Sequence, residues 1–174
     1  MEQQKDYIEL YENEELIEIR EARMDDLDTI AKFNYNLAKE TEGKELDMDV
    51  LTKGVKALLL DERKGKYHVY TVFDKVVAQI MYTYEWSDWR NGNFLWIQSV
   101  YVDKEYRRKG IFNYLFNYIK NICDKDENIV GMRLYVEKEN INAKATYESL
   151  NMYECDYNMY ELPIINRRSC RGYY

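Results

Sequence analysis

The stretch from Phe94 to Glu137 leaves this chain few folds to adopt. Phe94 to Val102 is apolar at nearly every position, the pattern of a strand in the middle of a sheet. A short turn follows, and Arg107-Arg108-Lys109-Gly110 opens a helix with Ile111, Tyr114, Leu115, Tyr118, Ile119 and Ile122 along one stripe. Val130 to Glu137 reads as the next strand. A strand, a crossover helix and a second strand imply a parallel pair within a larger sheet.

The rest of the chain supplies that sheet. Ile17 to Arg20 alternates apolar and charged residues as a short strand does. Asp25 or Asp26 is a candidate N-cap for a helix carrying Leu27, Ile30, Ala31, Asn34, Leu37 and Ala38. Glu40-Thr41-Glu42-Gly43 ends it, and a second helix places Leu51, Val55, Leu58 and Leu59 on one face. Tyr67 to Phe73 and Val76 to Glu85 are β-rich runs joined by Asp74-Lys75, a hairpin signal, and Ser87 to Asn93 is a polar loop. Asn142 to Leu150 reads as a short helix and Met152 to Leu162 as a last strand. The order β-α-α-β-β-β-α-β-α-β predicts an α/β (α+β) fold. Its mixed, mostly antiparallel sheet has six to seven strands, flanked by about four helices. A polar lead-in over 1–16, one domain over 17–162 and a basic tail over 163–174 complete the expected organisation.

The chain has 174 residues, 46% of them hydrophobic, which suits a single well-filled core. Its net charge of −7 disfavours nucleic acid and anionic membrane surfaces as partners and suits cationic small substrates or plain solubility. The 18 tyrosines are spread along the whole chain and read as amphipathic core and rim rather than a base-stacking platform. Neither a signal peptide nor a membrane span is expected, and the location expected is cytoplasmic. Cys123, Cys155 and Cys170 form no C-x-x-C pair, and His68 is the single histidine, so no metal site is expected.

The Arg107–Phe112 segment carries the clearest chemistry. The first amides of a helix lack intrahelical partners and sit at the positive end of its dipole, so a diphosphate fits there if the backbone comes close. Gly110 permits that approach, and Arg107, Arg108 and Lys109 concentrate positive charge in an acidic chain.

With this element order, Arg107-Arg108-Lys109-Gly110-Ile111-Phe112 resembles the pyrophosphate motif R/Q-x-x-G-x-G/A of the GNAT superfamily of N-acetyltransferases; Phe112 departs from the usual small residue. Asn140, Ala143 and Tyr147 match a second family motif, N-x-x-A-x-x-x-Y, and Asn151-Met152 stands where Gly-Phe is usual. The segments Tyr84–Gly92 and Trp96–Val102 resemble a bacterial subgroup of that superfamily. The resemblance spans roughly residues 17 to 162.

It implies acetyl-CoA as cofactor. The backbone of Val100, Tyr101 and Val102 would pair with the pantetheine arm beside a β-bulge. The amides of Arg108 to Phe112 (Arg108, Lys109, Gly110, Ile111 and Phe112) would hold the pyrophosphate, with Arg107 and Arg108 adding charge. Asn140 would bond the cofactor arm or cap its helix, two compatible roles, and Ala143 stands in phase with it. Tyr147 would be the general acid that protonates the leaving thiolate. Gln98 stands where several relatives carry a base. Glu85 is the first substitute and Glu137 the second. The acceptor pocket would lie between Asn34, Glu40 and Glu42 on one side and Trp86, Asp88 and Trp89 on the other, where aromatics and carboxylates suit a cation.

The implied activity is acetyl transfer from acetyl-CoA to a primary amine of a small molecule. Protein lysine or N-terminal acetylation is the alternative within the class, and a non-catalytic acyl-CoA sensor the alternative outside it. Dimerisation, common in the family, is compatible with the tyrosine-rich segment Tyr153 to Tyr160.

Overall fold

The computed structural model describes residues 8–12, 15–160 and 162. It divides into two compact units, one running to Leu134 and the other starting at Tyr135.

In the first unit six strands form one sheet in chain order. They are β1 (Ile8–Glu12), β2 (Glu15–Glu21), β3 (Lys66–Val72), β4 (Lys75–Ser87), β5 (Gly92–Val102) and β6 (Ile129–Arg133). Neighbours from β1 to β5 are antiparallel, and β5 and β6 are parallel, as the crossover requires. The helices α1 (Leu27–Glu42) and α2 (Met48–Leu59) follow β2, and α3 (Ile111–Lys125) links β5 to β6.

Each face of the sheet has its own core. On one, Ile111, Leu115 and Ile119 of α3 pack with Ile17, Ile19, Tyr70, Ile80, Tyr82, Leu95 and Ile97. On the other, Ile30, Ala31 and Phe33 of α1 and Val55 of α2 pack with Tyr67, Val69, Val76, Met81 and Tyr101. Strand alternation divides β3 and β4 between the two, so both strands are buried on both sides.

The start of α1 is fixed by charge. Asp26 is its N-cap residue, but its carboxylate bonds Arg20 on β2 through two oxygens, at 2.7 and 3.0 Å, and accepts the Arg23 N–H at 2.7 Å. Asp47 caps α2 directly through the amides of Asp49 and Val50. The β3–β4 turn centres on Phe73 and Asp74, both at positive φ, so Lys75, expected in the turn, already belongs to β4.

In the second unit α4 (Ile141–Ser149) is capped by Asn140, whose side chain accepts the Ala143 N–H at 3.1 Å. Asn151 ends it in the left-handed conformation, with the Met152 amide bonded to the Tyr147 carbonyl.

The strands differ from the sequence expectation at both ends. Residues 152–160 form no strand among the described residues, so the expected count included one that is not made. A β-rich run needs a partner ladder before its propensity counts. Conversely, Ile8–Glu12, read as lead-in, pairs with β2. β6 stops at Arg133, four residues early, and Glu137 lies in a turn, accepting the Glu139 N–H. The basic tail 163–174, with Cys170, lies outside the described residues.

His68 on β3 is buried between the rings of Tyr82 and Tyr118, at 5.7 and 5.3 Å, and its Nδ1 has no partner among the described residues. Burial pushes its pKa from 6.5 down to about 3. The folded protein therefore keeps the imidazole neutral while the unfolded chain takes up a proton below pH 6.5, so acid favours unfolding across that window. From pH 6.5 to 5 this group lowers the unfolding free energy by roughly 2 kcal/mol. Urea titrations at pH 7, 6 and 5 should show that slope in the native chain and a flatter one in His68→Phe; equal slopes would refute the assignment.

Candidate functional site

β5 loses both its neighbours' regularity over its second half. Trp96↔Arg133 is its last pair with β6, so from Ile97 to Val102 that edge has no strand partner among the described residues. On the other side the register with β4 slips by one residue between Met81↔Gln98 and Gln79↔Tyr101, which is a β-bulge in β5. Ser99 at the bulge has φ 48°, a left-handed conformation unusual for a serine. Beyond it the Asp103 amide donates to Val77 O on β4. By alternation the groups of Tyr101 also face β4, and those of Val100 and Val102 face the parted edge. The result is a length of β5 edge, from Ile97 to Val102, left open beyond the point where β6 ends. Gly92 lets the paired end of β5 close, since a Cβ there would lie 2.5 Å from Val130 Cγ1 and 2.8 Å from Asn128 O.

At its open end β5 leads to the basic loop. Arg108 and Gly110 are both left-handed, at φ 65° and 75°. α3 begins at Gly110 without a side-chain cap. Among the described residues the amides of Arg108, Lys109, Gly110 and Ile111 have no hydrogen-bond acceptor. A Cβ at Gly110 would meet nothing within 4 Å, so the loop is open there. The Phe112 ring lies against Phe116, 5.9 Å away on the helix, which accounts for a large residue at this position of the motif.

Arg107 braces this loop. Its Nε donates to Val102 O at 2.9 Å and its Nη2 to Glu40 at 2.7 Å, and its guanidinium lies over the Tyr101 ring. Glu40 also accepts the Tyr101 hydroxyl at 2.9 Å and lies 3.4 Å from Lys104. Burial works against charge on Glu40, but the bonds from Arg107 and Tyr101 hold its carboxyl below the ordinary range. Glu40 therefore joins α1 to the loop, and Arg107 is a strut as well as a charge. Arg108 and Lys109 are exposed, with Lys109 Nζ above the Tyr106 ring.

The other sequence-predicted residues divide between the two faces. Glu85 and Gln98 share the α1/α2 face of the sheet with Met81, Thr83, Phe94 and Trp96. Trp86 points to the opposite face with Tyr82 and Tyr84. Gln98 donates to Thr83 at 2.9 Å, and Glu85 bonds Arg133 at 2.5 Å while Arg133 stacks on Phe94 at 3.8 Å. Glu42 pairs with Lys44. Trp86 and Trp89 are 60% and 87% exposed, so neither is buried against the sheet. In the second unit Asn140 takes its capping role, and Tyr147 stands one turn beyond Ala143, its phenol pKa raised by burial.

Sequence reasoning set Asn34 on the wall of the acceptor pocket and missed the buried network it belongs to. Asn34 is buried and bonds both Gln79 Nε2, at 2.7 Å, and the Tyr67 hydroxyl, at 2.8 Å. Gln79 Nε2 also donates to Ser99 O at 3.1 Å. The available signal was an asparagine on the apolar stripe of α1 and a glutamine inside the apolar run of β4.

A parallel pair that ends partway along β5, a bulged strand and an uncapped, glycine-opened helix N-terminus are the features by which this α/β scaffold is placed among known proteins. The Acetyltransferase (GNAT) family matches residues 10–152, and this chain belongs to that family. A crystal structure of "a possible acetyltransferase" from Clostridium difficile 630 is 98% identical over 86% of this chain and 98% of that one, with a TM-score of 0.82. A "predicted acetyltransferase" from Clostridium acetobutylicum, solved with acetyl-CoA, shares the fold at 17% identity and a TM-score of 0.69, over 88% of this chain and 99% of that one. The ribosomal-protein-alanine N-acetyltransferase from Brucella melitensis biovar Abortus 2308 does so at 15% identity and 0.68, over 85% and 99%. No curated protein matches the chain. Among the described residues, no helix is long and apolar enough to cross a membrane, and no cluster of side chains could hold a metal ion.

The loop geometry has a direct test. Gly110 has open space for a side chain but a backbone that only glycine adopts without cost. Gly110→Val should lower stability by about 1–2 kcal/mol with no ligand present. A chemical-denaturation midpoint equal to that of the native chain would show that the left-handed turn is not held.

Proposed function

We propose that this chain is an N-acetyltransferase that moves the acetyl group of acetyl-CoA to a primary amine of a small molecule. The observation that carries the reading is the unpaired half of β5, which leads through the 3-10 turn of Lys104–Tyr106 and the basic loop to the open amides at the start of α3. Those features give one ligand an edge for an extended amide-bearing arm and a cradle for a diphosphate. Family membership over residues 10–152 supports treating both units as one acetyltransferase domain.

In the proposed reaction the arm lies along Val100 to Val102, and the diphosphate rests on the amides of Arg108 to Phe112. The amine nitrogen attacks the thioester carbonyl carbon. The C–S bond then breaks, the thiolate takes a proton from the Tyr147 hydroxyl, and the new ammonium gives its proton to Glu85 or to water. A half-buried phenol with a raised pKa stays protonated at neutral pH, as that donor must. Glu85 and Gln98 share one sheet face, which supports an acceptor approaching from that side. Glu40 serves the loop rather than the acceptor, because both its oxygens are engaged by Tyr101 and Arg107. The exposure of Trp86 and Trp89 favours one second reading, an acceptor large enough to lie across an open surface, such as a protein N-terminus or lysine.

Calorimetric titration with acetyl-CoA should give micromolar binding, and the Arg107→Ala/Gly110→Trp variant should lose it. No binding at millimolar acetyl-CoA would reduce the reading to the fold alone. With an acceptor in hand, Tyr147→Phe should lower turnover by roughly 100-fold while acetyl-CoA affinity stays the same. Unchanged turnover would remove Tyr147 as the acid.

A further inference from the structure

We propose that Gln79 is the positioning residue of the cofactor arm, holding β5 in its bulged form through one buried amide. The inference rests on the acetyl-CoA reading above and assigns a role to residues outside both family motifs.

Ser99 stands at the bulge with φ 48°, a conformation a serine keeps only when its surroundings hold it there. What holds it is Gln79, a side chain with no exposed surface. Its Nε2 donates to Ser99 O at 3.1 Å and to Asn34 Oδ1 at 2.7 Å, and Asn34 Nδ2 donates to the Tyr67 hydroxyl at 2.8 Å. Three elements, α1, β3 and β4, thus converge on one carbonyl of β5. All the side chains involved are buried, so each lost bond would leave a group without water to replace its partner.

The location gives the network its function. β6 has left β5 by Trp96, so among the described residues no strand fixes that edge from Ile97 on, and Arg107 Nε reaches it further along, at Val102 O. A regular ladder with β4 would flip the residues after Ser99, because a slip of one exchanges the two edges and faces. Val100 and Val102 face the open edge only while the bulge is kept. Downstream, Phe33 against Tyr101, at 4.9 Å, and Glu40 on Tyr101 and Arg107 hold the same strand from the same helix. Gln79 is the upstream end of that support and touches no ligand.

The experiment compares two ligands on the full chain by calorimetry: acetyl-CoA, and 3′-phospho-ADP, which has the diphosphate but no arm. Gln79→Met keeps the volume and removes both donated bonds. It should weaken acetyl-CoA by about ten-fold or more and leave 3′-phospho-ADP within about two-fold. Adding Ser99→Gly should restore part of the acetyl-CoA affinity, because glycine holds a left-handed φ unaided. Equal affinity for acetyl-CoA in Gln79→Met and native chain would overturn the proposal, and so would parallel loss of both ligands. Should Gln79→Met not fold, Asn34→Ser is read by the same two criteria. A native chain that binds neither compound would overturn the acetyl-CoA reading itself, and this inference with it; a native chain that binds both beside an indifferent Gln79→Met overturns this inference alone.

Discussion

Everything distinctive about this molecule follows from a strand that loses its partner halfway along. A backbone edge in a sheet carries donors and acceptors that must be satisfied by a strand, by a side chain or by something outside the fold. After Trp96, β5 has no β6 beside it, and the edge from Ile97 to Val102 is answered in part by Arg107 Nε on Val102 O. Arg107 can sit there because Glu40 holds its other end, and Glu40 is in place because α1 is docked on Tyr101 through Phe33. The docking of α1 begins in turn at Asp26, tied to Arg20 of β2. One unpaired edge is thus supported by a chain of contacts that runs to the far side of the sheet.

The same contacts shape the local field. The chain carries a net charge of −7, yet Arg107, Arg108, Lys109 and Lys104 lie together where β5 meets α3. Glu40 is the carboxylate bonded in their midst, and it answers two of the four, Lys104 and Arg107. The excess of cations adds to the partial positive charge of uncapped amides, and both act on the same few ångströms of open loop. A positive spot in a negative surround selects a phosphate group by position where the protein as a whole would repel it.

The β5-α3-β6 crossover was readable because its signals are local: a long apolar run, a glycine, then a stripe at helical spacing. The bulge itself left no such mark. Phe94 to Val102 looks like an unbroken strand, and the slip at Ser99 depends on Asn34 and Gln79, which meet only after folding, 45 residues apart. The placement of Glu85 and Trp86 on opposite faces was implicit in strand alternation, but grouping residues by loop rather than by face joined them. The terminal segments failed for opposite reasons. Met152 to Leu162 has β-forming residues but no strand beside it, whereas Ile8 to Glu12 is rich in glutamate yet has β2 to pair with. In both cases the neighbour decided and composition did not.

The two faces of the sheet also constrain how a reaction here would be approached. α3 covers one face of β5 and ends its packing with Leu95 and Ile97, so that side of the strand is closed by core. On the other face the helices reach Met81 and Tyr101, and beyond them Thr83, Glu85, Trp96 and Gln98 form a polar and aromatic strip. On the proposed reading, the cofactor arm enters along the edge of β5 and the acceptor arrives across that strip. Such a division explains why the phosphate loop and the arm edge are tightly braced while the strip is built from side chains already bonded to one another, Gln98 to Thr83 and Glu85 to Arg133. Glu85 keeps one buried oxygen, Oε2, without a hydrogen-bond partner among the described residues, so on that reading the strip holds an acceptor atom that an incoming amine would satisfy.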